Sequence, residues 1–252
     1  MNDDVVSSAD AGNVEADYIR WKDWQGEFGS LTSANSKYFE NEIRGFYKGQ
    51  RDYTVLEIGF GSGEFLRYCQ DCALRVTGLE INQTLVMHGQ AKGYDTRSAD
   101  HLPMLPKASF DLIAAFDVLE HIDKENIAAF LRDVRSCLKP DGHILLRFPN
   151  GDSWLGRINQ NGDPTHVSEI GYLMLDYFTK ETGLTIVHYR SPKSAGFAAG
   201  FVRGVHAMIA RPIAKIIAGF LHLIYFPSSP VVLSSPNVVA VLKIDAAGGQ
   251  NQ

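Results

Sequence analysis

The chain has 252 residues, 45% of them hydrophobic, and its 29 acidic against 24 basic side chains leave a net charge of −5. That length and apolar content suffice for one large core, and α/β domains of this size are commonly single. An acidic balance without a basic stripe beside the motifs argues against nucleic acid as a partner, and three cysteines, an odd number, build no disulfide framework.

In chain order, residues 1–17 are polar and acidic with no apolar h-region, so no signal peptide is expected and a cytoplasmic protein follows. Tyr18-Ile19-Arg20-Trp21-Lys22-Asp23-Trp24, then Phe28 and Tyr38-Phe39, predict an aromatic helical lid within residues 1–50. Its rings either pack on the sheet edge or, through Trp21 and Trp24, close over a ligand, since sugar rings stack readily on indole faces.

Residues 53–58 read as an apolar strand that runs into Gly59-Phe60-Gly61-Ser62-Gly63. Glycines at alternate positions let the backbone turn sharply and approach a ligand, as in nucleotide-binding βα units. A pyrophosphate wants bare amides and no negative side chain at such a turn. Glu57, two residues before the first glycine, suits instead a ligand carrying a positive amine or sulfonium.

A helix is predicted over residues 62–72, carrying Cys69 and Cys72, which without a second ligand pair read as free thiols. The strand at 75–79 ends at Glu80, from which a carboxylate can take ribose hydroxyls. A helix at 82–92 and a strand at 95–97 follow. Residues 112–116 form a buried strand ending in Asp117-Val118-Leu119-Glu120-His121. The helix at 123–138 has a core stripe of Ala128, Leu131, Val134 and Leu138. Leu138-Lys139-Pro140-Asp141-Gly142 reads as a turn before strands at 143–148, 185–189 and 238–244. Strand–helix alternation of this kind gives a doubly wound sheet.

Taken together, the acid before Gly-x-Gly-x-Gly, the acid ending the second strand, the Asp-Val-Leu-Glu-His run and the Leu-Lys-Pro-Asp-Gly turn resemble the class I S-adenosylmethionine-dependent methyltransferases. The resemblance covers residues 53–150. It implies a Rossmann-like, seven-stranded α/β sheet with helices on both faces, residues 51–190 forming the core and the last strand inserted antiparallel between the fifth and sixth positions. It also implies S-adenosyl-L-methionine as cofactor and S-adenosyl-L-homocysteine as product. The residues it assigns to the cofactor are Glu57, Gly59, Phe60, Gly61, Gly63, Glu80, Ile81, Asp100, His101, Asp117 and Val118. Within that set Glu57 meets the cationic methionine end, Glu80 the ribose and Asp100 the adenine amino group.

Asp117, Glu120 and His121 also match, with Asp for Glu at the first place, a Glu-x-x-Glu-His pattern that ligates a divalent ion in ubiquinone-type O-methyltransferases. Glu120 and His121 equally suit capping and charge complementation of the next helix. Asp117 is expected to face the cofactor, and no metal is expected.

After the fifth strand, Asp163-Pro164-Thr165-His166-Val167 resembles the Asp-x-Thr-His found near the acceptor in bacterial polysaccharide and quinone methyltransferases. Asp163 and Thr165 suit a turn or cap. A free hydroxyl is a poor nucleophile and gains from a nearby base, so His166, with Asp163, is expected at the catalytic end, either as base or acceptor contact or in a loop-ordering hydrogen bond. With the Arg-Trp-Lys-x-Trp opening, the chain is similar to methyltransferases of bacterial surface polysaccharide synthesis. The acceptor expected is a glycan, nucleotide-sugar or lipid-linked hydroxyl. The alternatives are quinone or lipid O-methylation and a non-catalytic S-adenosylmethionine-binding subunit.

Between Glu181 and Asp245 there is no acidic residue, while Arg190, Lys193, Arg203, Arg211, Lys215 and Lys243 all fall there. Within the insertion at 191–236, residues 195–210 and 212–226 read as two apolar helices split by Pro212. They form a basic hairpin too interrupted to span a bilayer. It either closes the acceptor site, forms a homodimer interface, or docks peripherally on the anionic inner face of a membrane. Residues 237–252 are the last strand and a tail.

Overall fold

The computed structural model describes residues 21–22 and 26–245. The acidic tail and Trp24 therefore lie outside the described residues. The elements in chain order are α1 (Ser33–Ile43), β1 (Thr54–Ile58), α2 (Glu64–Asp71), β2 (Arg75–Glu80), α3 (Gln83–Ala91), β3 (Asp95–Ser98) and β4 (Phe110–Phe116). They continue with α4 (Lys124–Cys137), β5 (Leu138–Pro149), α5 (Gly156–Gln160), α6 (Tyr172–Glu181), β6 (Leu184–Arg190), α7 (Phe201–Tyr225) and β7 (Asn237–Ile244).

The strands form one sheet in the order β3-β2-β1-β4-β5-β7-β6. β1 to β5 are parallel, and β7 enters antiparallel between β5 and β6. This is the Rossmann-like methyltransferase arrangement expected from the motifs. Helices cover both faces, so the central strands are apolar on both sides. Val55, Leu112, Ala114, Leu145, Val239 and Val241 pack toward Phe39 and Ile43 of α1 and Phe65 and Tyr68 of α2. The alternating residues Leu56, Ile58, Ile113, Ile144, Leu146, Ala240 and Leu242 pack toward Ile127, Leu131 and Val134 of α4 and Leu175 of α6.

α1 opens on Thr32, whose hydroxyl accepts from the Asn35 amide at 3.1 Å. Its buried Phe39 packs with its ring tilted 58° against that of Phe65, the centroids 5.0 Å apart. This part of the N-terminal segment is thus core packing, the plainer of the two expectations for it, and Trp21 is half exposed at 52%.

Two expected boundaries move. β5 starts at Leu138, which pairs with Phe110, and pairing with β4 resumes at His143 opposite Leu112, so residues 139–142, read as a turn before the strand, fall in a register shift inside it. The expected hairpin at residues 195–226 is absent: after a short 3₁₀ turn at Gly196–Ala199, α7 runs unbroken for 25 residues with Pro212 inside it. Proline removes one amide donor and crowds the preceding turn. On a helix this exposed, the carbonyl it deprives can turn outward.

Candidate functional site

The carboxyl ends of β1 and β2 build the first half of the site. Gly59, Gly61 and Gly63 all have positive φ, at 71°, 51° and 79°, the left-handed region where glycine alone is unstrained. A Cβ on Gly59 would lie 2.5 Å from Val118 Cγ2, and one on Gly63 would lie 2.5 Å from the Phe28 ring. Gly59 donates to the Leu79 carbonyl at 2.7 Å. Glu80, buried at the end of β2, accepts from the Gly61 amide at 3.0 Å through Oε2 and from the Ile81 and Asn82 amides at 2.9 and 3.1 Å through Oε1. Its carboxylate therefore ties the glycine turn to the start of α3, where Asn82 caps the helix by accepting from Thr84 and Leu85.

Glu57 lies beneath this turn, 3% exposed, with Oε2 lacking a hydrogen-bond partner. Burial, and then the nearby Glu80 and Glu64 carboxylates, push its pKa well above the ordinary value. A buried carboxyl beside bare turn amides, with an unsatisfied oxygen, fits a ligand that brings a cation. The donor set thus suits S-adenosylmethionine, with Glu57 toward the cationic end and Glu80 toward the ribose.

The remaining residues that the resemblance assigns to the cofactor divide. Ile81, exposed, and Asp100 and His101, at the carboxyl end of β3, line the same edge. Asp100 accepts from Ser98 Oγ at 3.4 Å, and His101 Nδ1 lies 3.2 Å from the Ser98 carbonyl. Phe60 belongs to the turn by its backbone only: its ring is buried with Leu66, Leu85 and Val86 and meets Phe28 edge-on at 5.9 Å. Asp117, expected to face the cofactor, has a positive φ of 56° and forms a two-pronged ion pair with Arg147, its Oδ1 accepting from Nε at 3.0 Å. Arg147 sits opposite Phe116 in the β4–β5 register and lies over the Tyr38 and Phe116 rings. Arg147 on the parallel neighbour strand thus engages the Asp117 carboxylate, which stays close enough to Glu120 to raise its pKa.

Across the edge, the 3₁₀ turn at Leu119–His121 meets the loop after α5. The Val167 and Ser168 amides both donate to the Glu120 carbonyl, at 2.9 and 3.0 Å, which clamps the loop onto the turn. His121 Nδ1 lies 3.2 Å from the Thr165 carbonyl and 3.0 Å from its hydroxyl. His166 Nδ1 lies 3.2 Å from the Gln160 carbonyl. The two imidazoles pack edge to face at 4.7 Å. With each Nδ1 directed at a carbonyl, the neutral rings carry their proton there and keep Nε2 as acceptor.

His166 Nε2 faces two acids, Asp163 Oδ2 at 3.6 Å and Glu120 Oε1 at 3.7 Å. Burial would raise Asp163, but Lys22 at 2.7 Å and the Thr165 amide and hydroxyl hold it down at about 2. Glu120, 1% exposed with neither carboxyl oxygen hydrogen-bonded, is pushed up to about 8 by burial and by Asp117. Burial, then His166, lowers His121. Asp163 and His166 thus come together as expected, and the structure adds Glu120, His121 and Lys22. Ligand atoms of Glu120, His121 and His166 lie within 4.8 Å of one another, so the metal-capable set draws its third member from the loop after α5 rather than from Asp117.

A family model described as a methyltransferase domain matches residues 24–190. A probable S-adenosylmethionine-dependent methyltransferase of Mycolicibacterium smegmatis is 30% identical over 136 residues, 52% of each chain. A ubiquinone biosynthesis O-methyltransferase of Photobacterium profundum is 25% identical over 147 residues, covering 55% of this chain and 61% of that one. The chain thus matches little more than half the length of these curated relatives. Among solved structures, a SAM-dependent methyltransferase from Archaeoglobus fulgidus superposes with a TM-score of 0.64 at 18% identity, over 90% of this chain and 98% of that one.

Proposed function

For a chain that belongs to the methyltransferase-domain family, as a class I S-adenosylmethionine-dependent enzyme, we propose transfer of the methyl group to a hydroxyl oxygen, with a saccharide as the preferred acceptor. When bound, S-adenosylmethionine supplies an electrophilic methyl on a sulfonium. Glu57 offsets the cationic end of that ligand, Glu80 takes the ribose, and Asp100, just after β3, takes the adenine amino group.

The observation that carries the oxygen acceptor is the His121–His166 pair, with both Nδ1 atoms engaged on carbonyls and the His166 Nε2 facing the Glu120 and Asp163 carboxyls. A hydroxyl nucleophile must lose its proton as the new O–C bond forms, and an imidazole near neutral pH suits that task. His121, whose pKa is lowered, stays neutral below the usual histidine range and so keeps its lone pair. His166, facing Glu120 and Asp163, can receive and stabilise the proton. The Arg-Trp-Lys-x-Trp opening supports a sugar, while the Asp-Pro-Thr-His loop suits a sugar or a quinone hydroxyl.

The experiment is turnover of S-adenosylmethionine against nucleotide sugars, lipid-linked glycans and quinones, read by product mass. His166→Ala and His121→Ala are each expected to lower turnover about a hundredfold while S-adenosylhomocysteine still binds. Methylation of a nitrogen, or unchanged turnover in both variants, refutes the reading. A quinone acceptor is favoured by a different observation, the unpartnered Glu120 oxygens beside the two imidazoles. A divalent ion there would lower the acceptor hydroxyl's pKa, and abolition of activity by a chelator, restored by metal, selects it.

A further inference from the structure

We infer that α7 is an in-plane membrane anchor that seats the carboxyl edge of the sheet on a bilayer rich in anionic lipid. α7 is long and apolar enough to cross a membrane, and none of its most apolar stretch is buried. Phe201, Val202, Ile216 and Leu223 are each more than 70% exposed. The main contact of the helix is with the 3₁₀ turn before it, where Phe197 packs over Gly204.

Its two ends are tied to one body on one side. Before it, Lys193 donates its amide to buried Glu42 at 2.6 Å, Asn41 donates to the Ser194 carbonyl at 2.7 Å, and Ser33 donates to the Ala198 carbonyl at 3.3 Å. After it, the Val232, Leu233 and Ser235 carbonyls accept from Asn150 and Ser153 at the end of β5. Tyr225 is thus seven residues from an anchored Val232, a reach of at most about 25 Å. A helix of 25 residues is about 37 Å long. Were it to cross the roughly 30 Å hydrocarbon core, residues 226–231 would have to return through it as irregular chain, with backbone groups unsatisfied in lipid. The helix therefore lies in the interface.

Its composition suits that placement. At 100° per residue, Val202, Val205, Ile209, Ile213, Ile216, Ile217, Phe220, Leu223 and Ile224 lie on one side with His206 among them, and Arg203, Arg211, Lys215 and His222 lie within about a third of the circumference on the other. An apolar face opposed by a basic one, with no acid between Glu181 and Asp245, is complementary to an anionic surface.

The orientation gives the helix a purpose. Arg190 pairs with Val239, and Asn237 with Pro149 at the carboxyl end of β5, so the chain leaves β6 and re-enters β7 at the edge that carries the glycine turn and the histidine pair. Docking by α7 brings that edge to the membrane, which, resting on the methyltransferase reading, points to an acceptor hydroxyl carried on a lipid.

The test is flotation of the full chain with phosphatidylcholine vesicles and with vesicles containing phosphatidylglycerol, alongside S-adenosylhomocysteine binding as a separate check on the core. Binding to the anionic vesicles is expected, with release by alkaline carbonate. Each basic residue at such a surface raises partitioning about fivefold, so Arg203→Glu, Arg211→Glu and Lys215→Glu together should weaken it by at least about a hundredfold. Ile213→Asn, Ile216→Asn and Phe220→Asn should abolish it, with cofactor binding intact in both variants. Resistance to carbonate overturns the in-plane placement. Absence of flotation, including the case where the chain is a dimer through α7, overturns the membrane docking without touching the methyltransferase assignment.

Discussion

Replacing Glu120 by glutamine should make the protein more stable at neutral pH, because the native carboxyl is held where ionisation is disfavoured. Its side chain is 1% exposed, neither oxygen is hydrogen-bonded, and its pKa is pushed from 4.5 up to about 8, first by burial and then by Asp117. The sign follows from proton counting. Between about pH 4.5 and about pH 8 the folded state keeps a proton that the unfolded state has released, so stability declines as pH rises through that window and is level below and above it. At 1.36 kcal/mol per pH unit, the interval from 4.5 to 7 amounts to about 3 kcal/mol as an upper bound. The expected gain for Glu120→Gln is therefore about 1–3 kcal/mol at pH 7 and close to zero at pH 4.5. For a chain of this size that is a rise of about 2–4 °C in Tm per kcal/mol. Urea denaturation of both proteins from pH 4.5 to 8 is the assay. Stability curves that run parallel across the range would show that Glu120 ionises normally and would remove the physical basis given for its role beside the histidines.

The cofactor end makes three further predictions. Gly59→Ala places a Cβ 2.5 Å from Val118 at φ 71°, so a loss of about 2 kcal/mol or more together with weakened S-adenosylhomocysteine binding is expected; native-like melting and affinity would contradict it. Glu80→Ala removes the acceptor for three backbone amides and should lower S-adenosylhomocysteine affinity at least tenfold by calorimetry, and tight NAD binding by the native protein would overturn the cofactor assignment. Because Glu57 is raised well above its ordinary value, pairing it with the ligand's amine should expel a proton. Affinity should then increase with pH and calorimetric heats should depend on the buffer, and Glu57→Gln should lose both effects.

Much of the core was legible because its signals are local. The glycine turn, the acid ending β2 and the paired apolar strands each depend on neighbours in sequence; alternating strands and helices give a doubly wound sheet, while the place of the last strand was implied by the family resemblance. What escaped depends on partners far along the chain. Asp117 carries every sequence mark of a site residue, yet Arg147, opposite Phe116 in the next strand, holds its carboxylate. Which parallel strands neighbour one another fixes that pairing, and nothing near Asp117 reveals it. His121 and His166 were each singled out, but their meeting needs the loop to fold back so that two amides clamp on the Glu120 carbonyl. Pro212 misled in the opposite way. Proline ends helices where the deprived carbonyl would be buried, and this one lies on a helix with little packed around it.

The two halves of the site differ in what they ask of the fold, and this explains where substrate choice resides. The cofactor half is made of backbone: three glycines at positive φ, the amides that Glu80 gathers, and a buried Glu57. Such a surface recognises one ligand and tolerates little change. The acceptor half is made of side chains brought from three separate places, Lys22 before the core, Glu120 and His121 after β4, and Asp163 and His166 after β5. These segments are joined by loop contacts rather than by sheet pairing, so each can vary without disturbing the strands. α7 extends the same logic, since an insertion between β6 and β7 leaves their ladder intact while adding a surface at the functional edge. The methyl-donor chemistry therefore belongs to the sheet, and the acceptor's identity and location belong to what is attached around it.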